Sequence, residues 1–334
     1  MTAFSNGTYN GSLSPYRCVF HEDFKYILLP VSYSVVFVVG LILNIVTLYV
    51  ILVQRHNWKP SSVYMFNLTI CDTLYILTLP FLIYYYADEN DWPFGEPLCK
   101  LIRFLFYTNL YGSILFLCCI SLHRFLGICY PMHSLRWAST GRARLVSAGV
   151  WVVVVLFQAP VLYFSRTRKA GPERDTTCYD TTSEDLFDSF MVYSTAVSVL
   201  LFAMPFMVLM VCYGLMVRKL LETPYMAAEA ASARSRQKSV KMIIIVLAVF
   251  MLCFLPFHLT RSLYYSFRYL DEQISCSQLE ASSIAYKVTR PLASANSCLD
   301  PVLYFMAGQG FRRNITKKSK YRQTVKIRTM STPM

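Results

Sequence analysis

Four basic residues stand where a membrane-spanning chain does not ordinarily keep them. Arg103, Arg261, Lys287 and Arg290 fall close to the ends of long apolar stretches, on the side where the connecting segments are acidic. His258 precedes Arg261 by three residues and Lys287 precedes Arg290 by three, so each pair shares one face of a helix. Tyr107 and Tyr111 follow Arg103 at one-turn intervals. These residue types are suited to binding an anion. Arginine grips phosphate or carboxylate through paired donors, and tyrosine faces accept a flat apolar group. If the three faces converge, they predict a basic ring above an aromatic floor, fitted to a polyanion carried on a flat apolar body. The competing reading is snorkelling, in which long basic side chains near helix ends reach outward to headgroups.

The elements that must position these residues are seven apolar stretches: Ile27–Val53, Ser62–Ala87, Leu101–Leu122, Leu145–Phe164, Phe190–Val217, Met242–Thr260 and Ala281–Ala307. About 20 apolar residues cross the hydrocarbon as a helix, and in lipid only closed hydrogen-bonded structures survive. The expected fold is therefore an all-α bundle of seven transmembrane helices. An extracellular tail over 1–26 precedes a seven-span membrane domain over 27–307, and a cytoplasmic tail over 308–334 follows. A chain of 334 residues with only 15% charged residues has no room for a second globular domain.

The net charge of +13 is unevenly placed. Arg136, Arg142 and Arg144, then Arg218, Lys219, Arg234, Arg236, Lys238 and Lys241, and then the tail from Arg312 to Arg328 all lie on one side of a seven-span chain. Asp88, Glu89, Asp91, Glu96, Asp271 and Glu272 lie on the other. The positive-inside rule puts the N-terminus outside. This distribution points to anionic membrane lipid and cytoplasmic protein partners rather than nucleic acid. No apolar signal core precedes the first span, so no cleaved leader is expected. Asn6-Gly7-Thr8 and Asn10-Gly11-Ser12 are candidate glycosylation acceptors in the outer tail. Cys18, Cys99, Cys178 and Cys276 fall on the oxidising side, and four cysteines allow three pairings that spacing cannot choose between. Neither a metal-ligand spacing nor a cofactor motif is found.

Asp72 and Asp300 are acids set deep in apolar spans, a costly placement that marks function. Asn44, Ser113, Asn296 and Ser297 lie at similar depth, and together they predict one hydrated polar cluster that could hold a sodium ion at Asp72. Alternatively, the aspartates are protonated and merely hydrogen-bonded. Pro80, Pro160, Pro205, Pro256, Pro291 and Pro301 interrupt the spans and supply hinge points.

Gly40-Leu41-Ile42-Leu43-Asn44, Leu68-Thr69-Ile70-Cys71-Asp72, His123-Arg124-Phe125, Trp151, Cys253-Phe254-Leu255-Pro256 and Asp300-Pro301-Val302-Leu303-Tyr304 occur in order, one set per span. The ordered set resembles the rhodopsin-like family of G-protein-coupled receptors over about residues 25–315. The resemblance implies a cytoplasmic switch built on Arg124, Tyr213 and Tyr304, a sixth-helix pivot at Phe254 and Pro256, and a seventh-helix motif from Asp300 and Pro301. Three departures stand out. His123 replaces the usual acid before the switch arginine, with Phe125 after it, so an acid-based lock on Arg124 is missing and basal activity is expected to be higher. The seventh-helix motif begins with Asp300 instead of Asn. No cysteine follows Gly308 to carry a palmitoyl anchor, although Phe311 and Ile315 give Gly308–Lys318 a short amphipathic pattern.

The outer half is similar to the G-protein-coupled nucleotide receptors, the metabotropic purinoceptors. The similarity rests on Asp91-Trp92-Pro93-Phe94-Gly95, Arg103-Phe104-Leu105-Phe106-Tyr107, Phe257-His258-Leu259-Thr260-Arg261 and the run from Tyr286 to Ser297. Tyr264-Tyr265-Ser266-Phe267-Arg268 adds a likeness to the UTP/ATP-responsive subgroup. This implies a UTP or ATP ligand held by Arg103, Tyr107, Tyr111, His258, Arg261, Lys287 and Arg290. It also implies disulfides Cys99–Cys178 and Cys18–Cys276, and a G protein of the phospholipase-C class with a calcium response. An acidic second outer loop (Asp180, Glu184, Asp185 and Asp188) would oppose loose anion binding. The same basic ring would also suit an acidic lipid or peptide. An anion transporter is disfavoured by the lack of an internal repeat, and an enzyme by the lack of zinc, nucleophile-elbow or phosphate-loop motifs.

Overall fold

The computed structural model describes residues 18, 20–132, 139–169, 176–178, 182, 186–222, 240–241, 243–270 and 274–307. Asn6, Asn10, the expected amphipathic segment after the seventh span, and Asp180, Glu184 and Asp185 of the second outer loop lie outside the described residues.

Among the described residues, six helices are long and apolar enough to cross a membrane: α1 (Lys25–Val53), α2 (Pro60–Ala87), α3 (Gly95–Cys129), α4 (Thr140–Phe164), α5 (Phe187–Lys219) and α6 (Ile243–Tyr269). The seventh, α7, runs as Cys276–Ser294 and Asn296–Ala307 around a break at Ala295. It falls short by composition because Lys287, Arg290, Asn296, Ser297 and Asp300 dilute its apolar residues. Several helices outrun the apolar stretches that announced them. α3 begins six residues before Leu101 and α6 continues nine past Thr260. A helix continues as long as its backbone bonds are made, whereas the apolar run stops where the hydrocarbon does.

α3 is the central post, packed against α2, α4 and α5, while α1 lies on α2 and α7, and α6 on α7. Nearly every α3 side chain from Phe106 to Leu117 is buried, as expected for a helix surrounded by others. Gly112 lets α2 come close, because a Cβ there would lie 3.0 Å from Cys71 Sγ. The apolar residues left exposed, among them Ile42, Ile45, Leu156, Met207, Val211 and Leu252, face outward from the bundle and suit lipid.

The prolines set the irregularities. Pro205 and Pro256 have no N–H to give the carbonyls of Leu201 and Leu252. Just before each, the chain makes a wide π-type turn, over Val199–Ala203 in α5 and Phe250–Phe254 in α6. α2 breaks at Leu77 and Thr78 ahead of Pro80, where the Thr78 hydroxyl donates to the Tyr75 carbonyl at 2.7 Å.

At the end of the bundle where α2 meets α3, two strands pair antiparallel: β1 (Thr167–Lys169) and β2 (Thr176–Cys178), with Thr167 opposite Cys178. Cys99 bonds Cys178 and Cys18 bonds Cys276, which are the two pairings expected. The hairpin is tied further to the α2–α3 connection. Trp92 N donates to the Thr176 carbonyl at 2.7 Å, and Thr176 N donates to Asp91 Oδ1 at 3.1 Å.

Candidate functional site

The three arginines do not snorkel. Arg103 is 2% exposed, and Arg261 and Arg290 are 3% exposed each, at the disulfide-bearing end of the bundle. Each comes from a different helix, and each points inward among aromatic residues that are themselves buried. Arg261 Nη1 donates to the Tyr111 hydroxyl at 3.1 Å, and its guanidinium lies 4.8 Å from the Tyr107 ring and 5.2 Å from the Tyr265 ring. Arg290 Nη1 donates to the Tyr86 hydroxyl at 2.9 Å, with the rings of Tyr86 and Tyr286 at 5.9 and 5.8 Å. Arg103 Nη2 donates to the Cys178 carbonyl at 3.4 Å, and the Tyr85 hydroxyl donates to that same oxygen at 3.2 Å.

Rings connect these cations. Tyr265 meets Tyr286 at 6.0 Å, and Tyr85 meets Tyr86 at 4.9 Å. A continuous network therefore runs from Arg261 through Tyr265 and Tyr286 to Arg290, then through Tyr86 and Tyr85 to the Cys178 carbonyl and Arg103. The expected ring above a floor is instead an interleaving of guanidinium and phenol, in which ring faces beside Arg261 and Arg290 partly replace the water those cations have lost. Among the described residues, Arg261 has no acidic partner.

His258 lies against the same cluster, with its ring 5.6 Å from Tyr111 and stacked on Phe202 at 3.9 Å. Among the described residues, neither ring nitrogen has a hydrogen-bond partner. Lys287 departs from the expected ring. Its ammonium is bonded to Glu22, from the segment before α1, which also accepts from Ser283 Oγ at 2.6 Å.

Of the deep polar residues, Asp72, Ser113, Ser297 and Asn44 are joined by hydrogen bonds, through one residue not anticipated. Asn109 Nδ2 donates to Asp72 Oδ1 at 2.8 Å and sits 3.5 Å from Ser113 Oγ, while Ser297 Oγ donates to Asn109 Oδ1 at 3.4 Å. Asn44 Nδ2 donates to the carbonyls of Ser297 and Gly40, both at 2.8 Å. Asp72 Oδ2, both Asp300 carboxylate oxygens and both side-chain polar atoms of Asn296 are buried with no partner among the described residues. The oxygens among them are donors of the hard-cation type, which fit the sodium expected at Asp72.

At the opposite end, Tyr213 and Ser121 share a hydroxyl–hydroxyl hydrogen bond one turn before Arg124. His123 Nδ1 is 3.2 Å from Ser61 Oγ, and Arg124 Nε is buried with no partner among the described residues. Between the two ends, a line of rings runs from His258 to Phe202, to Phe206 at 6.0 Å, to Phe250 at 6.1 Å and to Phe254 at 5.2 Å. Phe202 lies in the wide turn of α5, and Phe250 and Phe254 in that of α6, which Pro256 follows; Pro301 lies within the second half of α7. Tyr304 is buried near the end of α7.

Tyr86, Tyr265, Tyr286, Glu22, Asn109 and Phe202 belong to these networks but were not singled out as site residues from sequence. Tyr265 follows Arg261 by four and Tyr286 precedes Arg290 by four, so helical spacing carried a signal for both. Asn109 likewise precedes Ser113 by four. For Tyr86 and Phe202 no such signal exists, because each meets the site across helices.

Comparison with known proteins supports the same architecture. The model of the 7 transmembrane receptor (rhodopsin family) matches residues 43–304. The Y-type purinoceptor 2 of Mus musculus is 58% identical over 304 residues, 91% of this chain and 80% of the relative. The Y-type purinoceptor 4 of Homo sapiens is 50% identical over 298 residues, 89% of this chain and 80% of the relative. The Y-type purinoceptor 1 of Bos taurus is 41% identical over 329 residues, covering 96% and 86%. With seven helices, two disulfides and this likeness along its length, the chain belongs to the rhodopsin family of seven-transmembrane receptors, alongside the Y-type purinoceptors.

Proposed function

We propose that this multi-pass plasma-membrane protein is a G-protein-coupled receptor for extracellular nucleotides, UTP or ATP, signalling through the phospholipase-C class of G protein to calcium. The N-terminus and both disulfides lie outside. Arg103, Arg261 and Arg290 take the phosphates, and Tyr107, Tyr111 and His258 take the base and sugar. The observation that carries this reading is the burial of three arginines from α3, α6 and α7 within one tyrosine network. Each charge-assisted hydrogen bond nets about 1.5–3 kcal/mol, so three or four supply micromolar affinity after the costs of binding. The likeness to Y-type purinoceptors 2 and 4 supports the nucleotide class.

Activation follows as a shift between two states. Nucleotide draws α3, α6 and α7 together at the outer end, and α6 swings about Pro256 through the line of rings from His258 to Phe254. A cytoplasmic cleft then opens beside Arg124, Tyr213 and Tyr304. A ligand moves that balance only by its differential affinity, and a G protein in the cleft tightens nucleotide binding by the same factor. Asp72, Ser113 and Asn296 hold sodium in the state that lacks nucleotide.

Calcium release in transfected cells, with UTP, ATP, their diphosphates, an acidic lysophospholipid and an acidic peptide as arms, tests the reading. A response to nucleoside triphosphates at micromolar or lower concentration is expected. A response confined to the lipid or the peptide would reject nucleotide while leaving the receptor fold intact.

A further inference from the structure

Lys287 was expected among the ligand's cations, but another anion already holds it. Glu22 is 6% exposed although it lies in the short segment between the Cys18–Cys276 disulfide and the start of α1. Its residues His21, Glu22 and Lys25 are tied by hydrogen bonds. Lys25 N donates to the Glu22 carbonyl at 3.0 Å, and His21 N donates to Glu280 Oε1 at 2.8 Å. The Glu22 carboxylate accepts from Ser283 Oγ at 2.6 Å and from Lys287 Nζ, with Lys25 Nζ at 3.5 Å. Ser283, Lys287 and Arg290 follow one another at four- and three-residue steps on one face of α7. The carboxylate thus occupies the upper two positions of a line of donors whose lowest member, Arg290, belongs to the tyrosine network.

We propose that Glu22 is a specificity-determining residue, a resident anion that withholds Lys287 from the ligand. This rests on the nucleotide reading above. The vestibule then presents three arginines to the ligand. A phosphate chain long enough to reach the fourth cation must displace a carboxylate that is buried, bonded to a hydroxyl and paired with two ammonium groups. A like-charged phosphate that shares the ammonium is repelled by the carboxylate, which weakens its hold there. Removing the carboxylate's charge frees Lys287 for the terminal phosphate of a triphosphate and gains little for a monophosphate, which is too short to reach it.

The test is a double-mutant cycle of Glu22→Gln and Lys287→Gln in the intact receptor, read as calcium responses to UTP, UDP and UMP and normalised to surface expression. Glu22→Gln keeps an acceptor for Ser283 and is expected to lower the half-maximal UTP concentration by about tenfold, the equivalent of about 1.4 kcal/mol. The expected change for UMP is under threefold. Lys287→Gln alone is expected to change UTP potency by less than threefold, and in the Glu22→Gln background it should erase the gain. Unchanged or weakened UTP potency in Glu22→Gln, or a gain that survives Lys287→Gln, would overturn the inference. If Glu22→Gln does not reach the surface, Lys287→Gln decides alone, because a tenfold loss would show that the ligand already uses Lys287. Arg261→Ala in the same assay separates the two levels. Unchanged potency there and in Arg290→Ala would remove the assignment of the phosphates to the arginines, whereas lost potency with an additive Glu22–Lys287 cycle would remove only the role given to Glu22.

Discussion

Replacing Arg261 is the most demanding test of the arginine–tyrosine network. The guanidinium is 3% exposed, donates one hydrogen bond to Tyr111 and rests on Tyr107 and Tyr265, and its Nε is buried without a partner. Its donors are therefore incompletely used before ligand arrives. A phosphate that takes two charge-assisted bonds gains about 3–6 kcal/mol, less about 1 kcal/mol for the Tyr111 bond it competes with. Arg261→Ala should accordingly cost about 2–5 kcal/mol of binding, a shift of roughly 30- to 5000-fold in half-maximal nucleotide concentration. Arg261→Lys keeps the charge but loses the planar fork and the close ring contact, and should fall between, at roughly tenfold or more. The assay is calcium release against nucleotide concentration, with surface receptor quantified in parallel. Alanine removes a desolvated cation rather than stranding one, so folding is expected to survive. If Arg261→Ala and Arg290→Ala both reach the surface and both leave potency within threefold of the parent, the arginines do not bind phosphate and the reasoning fails.

Three further outcomes follow from the same contacts. Asn109→Ala strips Asp72 and Ser297 of their shared partner inside the bundle, and should cost about 1–3 kcal/mol of stability, read as a lower thermal midpoint of the purified receptor; an unchanged midpoint would show that Asp72 is satisfied otherwise. Cys99→Ser releases Cys178, whose carbonyl is the acceptor for Arg103 and Tyr85, and should abolish surface expression or the nucleotide response, since losing a native disulfide costs about 2–5 kcal/mol. Phe202→Leu preserves bulk but removes the stack on His258 and Phe206, worth about 0.5–1.5 kcal/mol beyond burial, and should raise the half-maximal concentration by roughly 3- to 10-fold; wild-type potency would show that the line of rings does not couple the vestibule to the Phe254 bend.

How much of the site was legible follows the range of each interaction. Residues one turn apart on a helix announce each other, so His258 with Arg261, and Tyr107 with Tyr111, could be grouped before any fold was known. The same rule would have reached Tyr265, Tyr286 and Asn109, which were not chosen although each lies four residues from a residue that was. Lys287 was grouped correctly by face but not by partner. Its acid lies 265 residues away in the chain, brought there by the Cys18–Cys276 bridge. Tyr86 and Phe202 had no local signal, because the first is chosen by where α2 faces α7 and the second by how the wide turn of α5 rotates its ring toward α6.

Apolar length and charge placement by themselves determined that the chain is a seven-helix membrane bundle, and its ordered motifs determined the receptor family, because the cost of bare backbone in hydrocarbon leaves a sequence of this kind almost no alternative. Composition could not decide whether the basic residues at the helix ends turn outward to lipid or inward to one another. That choice belongs to the packing of α3, α6 and α7, which surrounds Arg103, Arg261 and Arg290 with tyrosine faces and carbonyls and so makes burying three cations tolerable. It belongs equally to a disulfide and a buried carboxylate that set Lys287 apart from them.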